Sequence, residues 1–178
     1  MNNDIETVFY PEETIKARVK ELGGELSREY AEKNPIIIGV LKGSFIFMSD
    51  LVRAMDIPCA VEFLSASSYG NDTVSSGDIK LKINLGTSLE GRHVLIVEDI
   101  LDTGSTLSVL KEHLQSLGPA SLKLAVFLDK RERRLVPISA DFVGFECPDE
   151  FYVGYGLDYA EKYRNLPYIG SLKASLYS

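Results

Sequence analysis

The apolar run Val94-Leu95-Ile96-Val97 is followed at once by Glu98-Asp99, and then by Ile100-Leu101-Asp102-Thr103-Gly104-Ser105-Thr106-Leu107. Four consecutive apolar residues describe a strand covered on both faces, and that requires a parallel sheet with helices packed on either side. Leu107, Leu110, Leu114 and Leu117 recur at helical spacing. The expected order is a strand that ends at the acids, a short hydroxyl-rich loop, and a helix.

Three acids at the end of a buried strand cost free energy unless something meets them. The loop beside them has the opposite preference. The first turn of a helix presents unpaired N–H groups and the positive end of its dipole. Gly104 allows close approach, and Thr103, Ser105 and Thr106 add hydroxyl donors, so the loop suits a phosphate. Asp102-Thr103 is also a good helix cap, which accounts for the loop but not for all three acids. Carboxylates next to a phosphate need a divalent cation or sugar hydroxyls between them, and a phosphorylated sugar supplies both demands. Magnesium is the oxygen-seeking ion expected in such a place. The pattern G-x-x-x-x-G-K-[ST] does not occur, so the chain is no ordinary P-loop NTPase.

With 178 residues and 45% hydrophobic content, one domain with a real core is expected. The formal charge of -7 argues against general nucleic-acid binding. No apolar run approaches the roughly 20 residues that span a bilayer. Met1 to Glu6 lacks the basic-then-apolar start of a signal peptide, so the expected location is the cytoplasm, with no membrane partner. Cys59 and Cys147 lack metal-ligand spacing and suit reduced packing there. His93 and His113 stand apart and receive no role.

Pro11 to about Ala31 predicts an amphipathic helix facing inward through Ile15, Val19, Leu22, Leu26 and Tyr30, with Gly23-Gly24 as a kink or break. Ile36 to Leu41 is a second buried strand, Lys42-Gly43-Ser44 its exit loop, and Phe45 to Met55 the helix that follows. Strand, loop and helix thus occur twice. In open α/β sheets ligands sit at the carboxyl ends of strands, where Leu41-Lys42-Gly43 and Glu98-Asp99 both fall. Ala60 to Ser65 is a strand with Val61 and Phe63 on one face, and Ile79 to Leu85 a returning arm. The polar stretch between them is long for a compact domain. Gly91-Arg92 turns into the central strand and Gly118-Pro119 stops its helix. Leu122 to Leu128 is the next strand, with the charge run Asp129 to Arg134 leaving its end. Asp141 to Phe145 and Phe151 to Tyr155 alternate like two more strands.

The stretch Val94 to Leu107 resembles the ribose-phosphate signature of the type I phosphoribosyltransferases: an apolar strand, two acids, two spacers and Asp-Thr-Gly-x-Thr. Its Glu-Asp order resembles the hypoxanthine-guanine branch. Lys130-Arg131, Pro148-Asp149-Glu150-Phe151 and Val153 to Tyr159 resemble that branch too, in the same order along nearly the whole chain. The resemblance implies a doubly wound α/β domain with a mostly parallel sheet. It also implies a small hood from about 1–10 and 145–178, and a lid loop at about 65–79 that carries Ser68-Tyr69. A lid suits the chemistry, because an oxocarbenium-like sugar centre left open is captured by water.

The resemblance further implies transfer of a phosphoribosyl group from 5-phospho-α-D-ribosyl 1-diphosphate to hypoxanthine or guanine, with magnesium. Glu98 and Asp99 would meet the ribose hydroxyls, directly or through metal, and Thr103, Gly104, Ser105 and Thr106 the 5′-phosphate. Successive strand residues point to opposite faces, so both acids can share one task only if the backbone changes direction. Asp102 would be the general acid/base at N7 of the base. Leu41, Lys42, Gly43, Arg134 and Arg164 would take pyrophosphate, the Leu41–Lys42 loop often holding a cis peptide in such proteins. Lys130 would donate to the exocyclic oxygen of a 6-oxopurine, and a Lys donates without accepting, which disfavours adenine. Phe151 would stack on the base, the backbone of Tyr152 would read it, and Asp158 would hold a second magnesium on pyrophosphate near the base. Ser105 stands where many relatives carry Lys, and Tyr152 where they often carry Val. The second departure leaves xanthine open as a base. A homodimer or homotetramer is implied on the same ground.

Two other classes fit the residues less well. A regulator built on this fold would show a basic nucleic-acid face, which the acidic balance disfavours. A phosphate-accepting receiver domain carries an acidic pair after its first strand, where this chain has Leu41-Lys42-Gly43.

Overall fold

Alternation along three strands sorts the apolar side chains into two cores, one on each face of a sheet. The structure, a computed structural model, describes residues 1–65 and 85–176. Its strands are β1 (Ile5–Tyr10), β2 (Ile36–Leu41), β3 (Ala60–Ser65), β4 (His93–Leu101), β5 (Ser121–Asp129), β6 (Phe142–Glu146) and β7 (Ile169–Leu172). Its α-helices are α1 (Glu12–Glu29), α2 (Phe45–Ala54) and α3 (Ser105–Ser116). Strands β3-β2-β4-β5-β6, in that order, form a five-stranded parallel sheet. Ile37, Leu95, Val97, Ala125 and Phe127 face α1 and α2. Ile36, Ile38, Val94, Ile96, Leu124 and Val126 face Leu107, Leu110 and Leu114 of α3. A sheet buried on both faces is what the continuous apolar runs required.

The chain winds outward in both directions from the line between β2 and β4, and the order of the strands reverses there. Ligands of open α/β sheets bind at such a line, beyond the strands' carboxyl ends. The antiparallel pair β1–β7 makes a second, two-stranded sheet from the two ends of the chain, with Ile5 opposite Leu172. Val153, Tyr163, Leu166 and Leu172 form its own small core.

Several expectations need correction. Gly23-Gly24 does not break α1, which is continuous from Glu12 to Glu29. Gly23 instead lets α2 approach: a Cβ there would lie 2.5 Å from Ala54 Cβ and from its carbonyl oxygen. Val61 and Phe63 share a face of β3, as expected; that face is half-exposed, and Leu64 is the buried side chain. Phe151 to Tyr155 is no strand, because Gly154, Tyr155 and Gly156 all take positive φ and curl the backbone into a turn. The arm expected at Ile79 to Leu85 and the lid with Ser68 and Tyr69 lie, except Ser65 and Leu85, outside the described residues.

Candidate active site

Strand β4 does not end where its acids arrive. It runs on through Glu98 and Asp99 to Leu101, paired with β5 as far as Leu101 opposite Asp129. Its pairing with β2 stops earlier, at Gly39 opposite Val97. The crevice therefore opens because β2 departs, and both acids are left on a strand with one neighbour.

In that crevice the two carboxylates meet. Glu98 turns back, and its Oε1 accepts the backbone N–H of Asp99 at 3.2 Å; Asp99 Oδ1 accepts the N–H of Ile100 at 2.7 Å. Burial, then the neighbouring Asp99 charge, holds the Glu98 carboxyl well above the usual carboxylate range. Burial raises Asp99 as well, opposed by its hydrogen bonds and by the charge of Arg164. The alternation of a strand would part these side chains, and the bend of Glu98 onto its own backbone brings them together.

Beside them lies a cavity of about 150 Å³ lined by Val40, Glu98, Ile100, Leu101, Asp102, Thr103, Gly104, Thr106, Leu107 and Leu110. Gly104 caps α3 at φ +82, and a Cβ there would fall 2.5 Å from Ile138 Cγ2. Only glycine meets both conditions without strain. The loop is braced from one side by the segment after β5. Lys130 N–H donates to Leu101 O and Leu135 N–H to Thr103 O, each at 3.0 Å. Arg134 Nη1 donates to Asp102 O at 3.0 Å, while its Nη2 pairs with the buried carboxylate of Asp129.

On the other side of the crevice the Leu41–Lys42 peptide bond is cis. Gly43 lies so close to Asp99 that a Cβ would overlap its carboxylate, and Gly156 packs against Gly43 O, which a Cβ would approach to 2.0 Å. Tyr155 O–H anchors that turn by donating to Asp50 Oδ2 at 2.8 Å. Arg164 Nη1 donates to Gly156 O at 2.8 Å and Nη2 pairs with Asp158 Oδ1 at 2.8 Å. Its Nε is buried without a partner among the described residues. Lys42 Nζ pairs with Glu161 at 2.9 Å.

At the third side Lys130 is nearly buried, its ammonium 5.5 Å from the centre of the Tyr152 ring and 3.3 Å from Asp149 Oδ1. Phe151 keeps 42% of its surface open and meets Tyr159 edge-on at 5.7 Å. The Tyr152 side chain points away into the core, its hydroxyl donating to Pro148 O at 3.0 Å.

The family model described as the phosphoribosyl transferase domain matches residues 9–160. The chain belongs to the phosphoribosyltransferase family. It is 54% identical over 177 residues to a hypoxanthine-guanine phosphoribosyltransferase of Bacillus subtilis, covering 99% of this chain and 98% of that one. A protein of the same description from Streptococcus agalactiae is 48% identical over 178 residues, covering 100% and 99%. The crystal structure of a hypoxanthine phosphoribosyltransferase from Staphylococcus aureus superposes with a TM-score of 0.95 at 48% identity, covering 100% of this chain and 97% of that one. The type I fold expected for the phosphoribosyltransferase is the fold described above. Among the described residues, no helix is long and apolar enough to cross a membrane.

Apart from Ser68 and Tyr69, which lie outside the described residues, the residues singled out from the sequence of this phosphoribosyltransferase lie on three sides of one crevice. Arg134 is the exception among them. The resemblance sends it to pyrophosphate, yet its guanidinium is spent on Asp129 and the Asp102 carbonyl, and its side chain is 15% exposed. The sequence assigns Asp129 and Glu161 no role, sets Arg133 only as an alternative to Arg134 at pyrophosphate, and leaves Asp149 unassigned; Asp129 and Arg133 pair instead with Arg134 and with Asp102 and Asp149. Asp129 and Arg133 lie in a charge run that, without a fold, looks like any solvated loop.

Proposed function

We propose that this phosphoribosyltransferase works in purine salvage in the cytoplasm. It would transfer the 5-phosphoribosyl group from 5-phospho-α-D-ribosyl 1-diphosphate to hypoxanthine or guanine, giving IMP or GMP and pyrophosphate. The single observation that carries this reading is the crevice itself. Paired acids, the loop at the start of α3, and Lys42 with Arg164 border a space at the strand ends, beside the nearly buried Lys130 over the Tyr152 ring. The relatives' names supply the base.

Thr103, Gly104, Ser105 and Thr106 would bind the 5′-phosphate at the start of α3, where Thr103, Gly104 and Thr106 line the cavity. Glu98 and Asp99 take the ribose hydroxyls. Leu41, Lys42 and Gly43 hold pyrophosphate with Arg164, whose unpartnered Nε suits an anion. Arg134 holds the loop rather than the pyrophosphate. Phe151 stacks on the purine, the Tyr152 backbone reads it, and Lys130 donates to O6. Asp102 takes the proton from N7 as N9 attacks C1′, and the bond to pyrophosphate breaks. Positive groups around pyrophosphate stabilise the charge that grows there.

Among the described residues no three His, Cys, Asp or Glu side chains form a metal cage. Magnesium fits nonetheless, since it keeps its waters and binds through one or two carboxylates plus substrate phosphates. Two crowded acids that resist ionising are a donor set wanting a cation. Glu98 and Asp99 would hold one ion and Asp158 a second. When bound, magnesium neutralises pyrophosphate and orients the sugar. The hood, from about 1–10 and 145–178, covers the site, and the assembly is a homodimer or homotetramer.

The test is a panel of purine and pyrimidine bases incubated with the diphosphorylated sugar and magnesium. Nucleotide should form with hypoxanthine and guanine, and adenine should be poor because Lys130 offers only donors. Equal rates with adenine and hypoxanthine refute the role of Lys130. No nucleotide from any base refutes the function.

A further inference from the structure

The two groups assigned to the purine's N7/O6 edge are engaged by one linked pair of side chains. Asp102 Oδ1 accepts from Arg133 Nε at 3.0 Å. The same guanidinium reaches Asp149 Oδ2 through Nη1 at 3.2 Å. The other oxygen of Asp149 takes Lys130 Nζ at 3.3 Å. The four charges form a chain from the acid/base to the base-reading lysine, and its two middle members have no part in the transfer described above.

Resting on that reading, each middle member imitates what the base supplies. A 6-oxopurine offers an N–H from N7 to Asp102, and Arg133 offers an N–H to the same carboxylate. The purine offers an oxygen from C6 to Lys130, and Asp149 offers an oxygen to the same ammonium. We propose that Arg133 and Asp149 form a latch that stands in for the N7/O6 edge of the purine, and that the base enters by exchange with it. Such a latch keeps Asp102 and Lys130 paired and oriented while no base is bound. It also makes the neutral base compete with charged contacts. Arg133 sits in a single 3-10 turn after β5, and Asp149 in the loop after β6. Arg133, Asp102 and Asp149 are 45, 41 and 44% exposed, so the guanidinium can swing into water without moving a strand.

Exposed ion pairs are weak, so the competition is worth a factor of roughly two to five in base affinity. The test is steady-state kinetics of Arg133→Gln with hypoxanthine at several salt concentrations. Arg131→Gln serves as a control that removes the same charge from the same turn, where it pairs with Glu146 and Asp129. In Arg133→Gln the KM for hypoxanthine should fall about two- to fivefold, with no such fall in Arg131→Gln. Salt screens the latch but hardly touches a neutral base, so the native KM for hypoxanthine should fall as salt rises, and that response should vanish in Arg133→Gln. A KM that is unchanged or raised in Arg133→Gln, or a salt response that survives in it, overturns the latch while leaving the function standing. A native chain that makes no nucleotide overturns both.

Discussion

Arg134→Met tests whether the segment after β5 holds the phosphate loop in place. Asp129 is 4% exposed, and Arg134 is its inward partner. Breaking a buried ion pair from one side costs about 3–5 kcal/mol, because the other charge is left behind. Here Arg131 Nε, 3.4 Å from Asp129 Oδ2 on a 65% exposed side chain, offsets part of that. The bond from Arg134 to Asp102 O is lost as well, at about 0.5–1.5 kcal/mol. The expected net loss is therefore about 3 kcal/mol, or a fall in Tm of about 6–12 °C for a chain of this size. The assay is thermal unfolding of the ligand-free protein, with kcat measured below the transition. Because the carbonyl of Asp102 loses its brace, kcat should drop too. The double variant Asp129→Leu/Arg134→Met removes both charges and should recover at least half of the lost stability, since apolar replacements of buried pairs are often neutral or better. A single variant within about 1 °C of native, with only the KM for the diphosphorylated sugar raised, refutes this reasoning and returns Arg134 to the pyrophosphate.

Three further outcomes are expected. Asp102→Asn should lower kcat by about 10²–10⁴-fold with an almost unchanged Tm, since the carboxylate is exposed and its pair with Arg133 is weak; full activity removes it from acid/base work. Glu98→Gln concerns a carboxyl that burial, then Asp99, raises well above its unfolded value. The stability contributed by its neutral form is complete below the unfolded pKa and lost as pH rises through the folded one. In chelator, Glu98→Gln should therefore melt above the native chain near about pH 8, and the gap should close towards about pH 4; a gap that widens on acidification contradicts the shift. Gly23→Ala should cost about 1–3 kcal/mol by forcing a methyl onto Ala54, whereas Gly24→Ala, which meets only Arg28 Nη1 at 3.6 Å, should gain about 0.5–1 kcal/mol. Equal shifts in denaturant unfolding would show that α1 and α2 are not in close contact there.

Features that depend on neighbours along the chain are legible in the residues alone. Apolar runs such as Val94 to Val97 and Ile36 to Val40 suit strands covered on both faces, and Leu107, Leu110 and Leu114 suit the buried side of a helix. The phosphate loop is equally local, because its glycine, hydroxyls and helix start are contiguous. Tertiary structure decided whatever depends on where another segment stops or lies. The crevice exists because β2 leaves β4 at Val97, and no pattern within either strand encodes that departure. Gly23 looked like a helix break because the helix that packs on it lies some thirty residues further on. The strands β1 and β7 join residues from opposite ends of the chain, so neither could be paired until both were placed. Charged side chains such as Arg133 and Arg134 are adjacent in sequence and alike in chemistry. One is turned inward to a buried carboxylate and the other outward across the base site, because a long side chain takes its role from the partner the fold puts within reach.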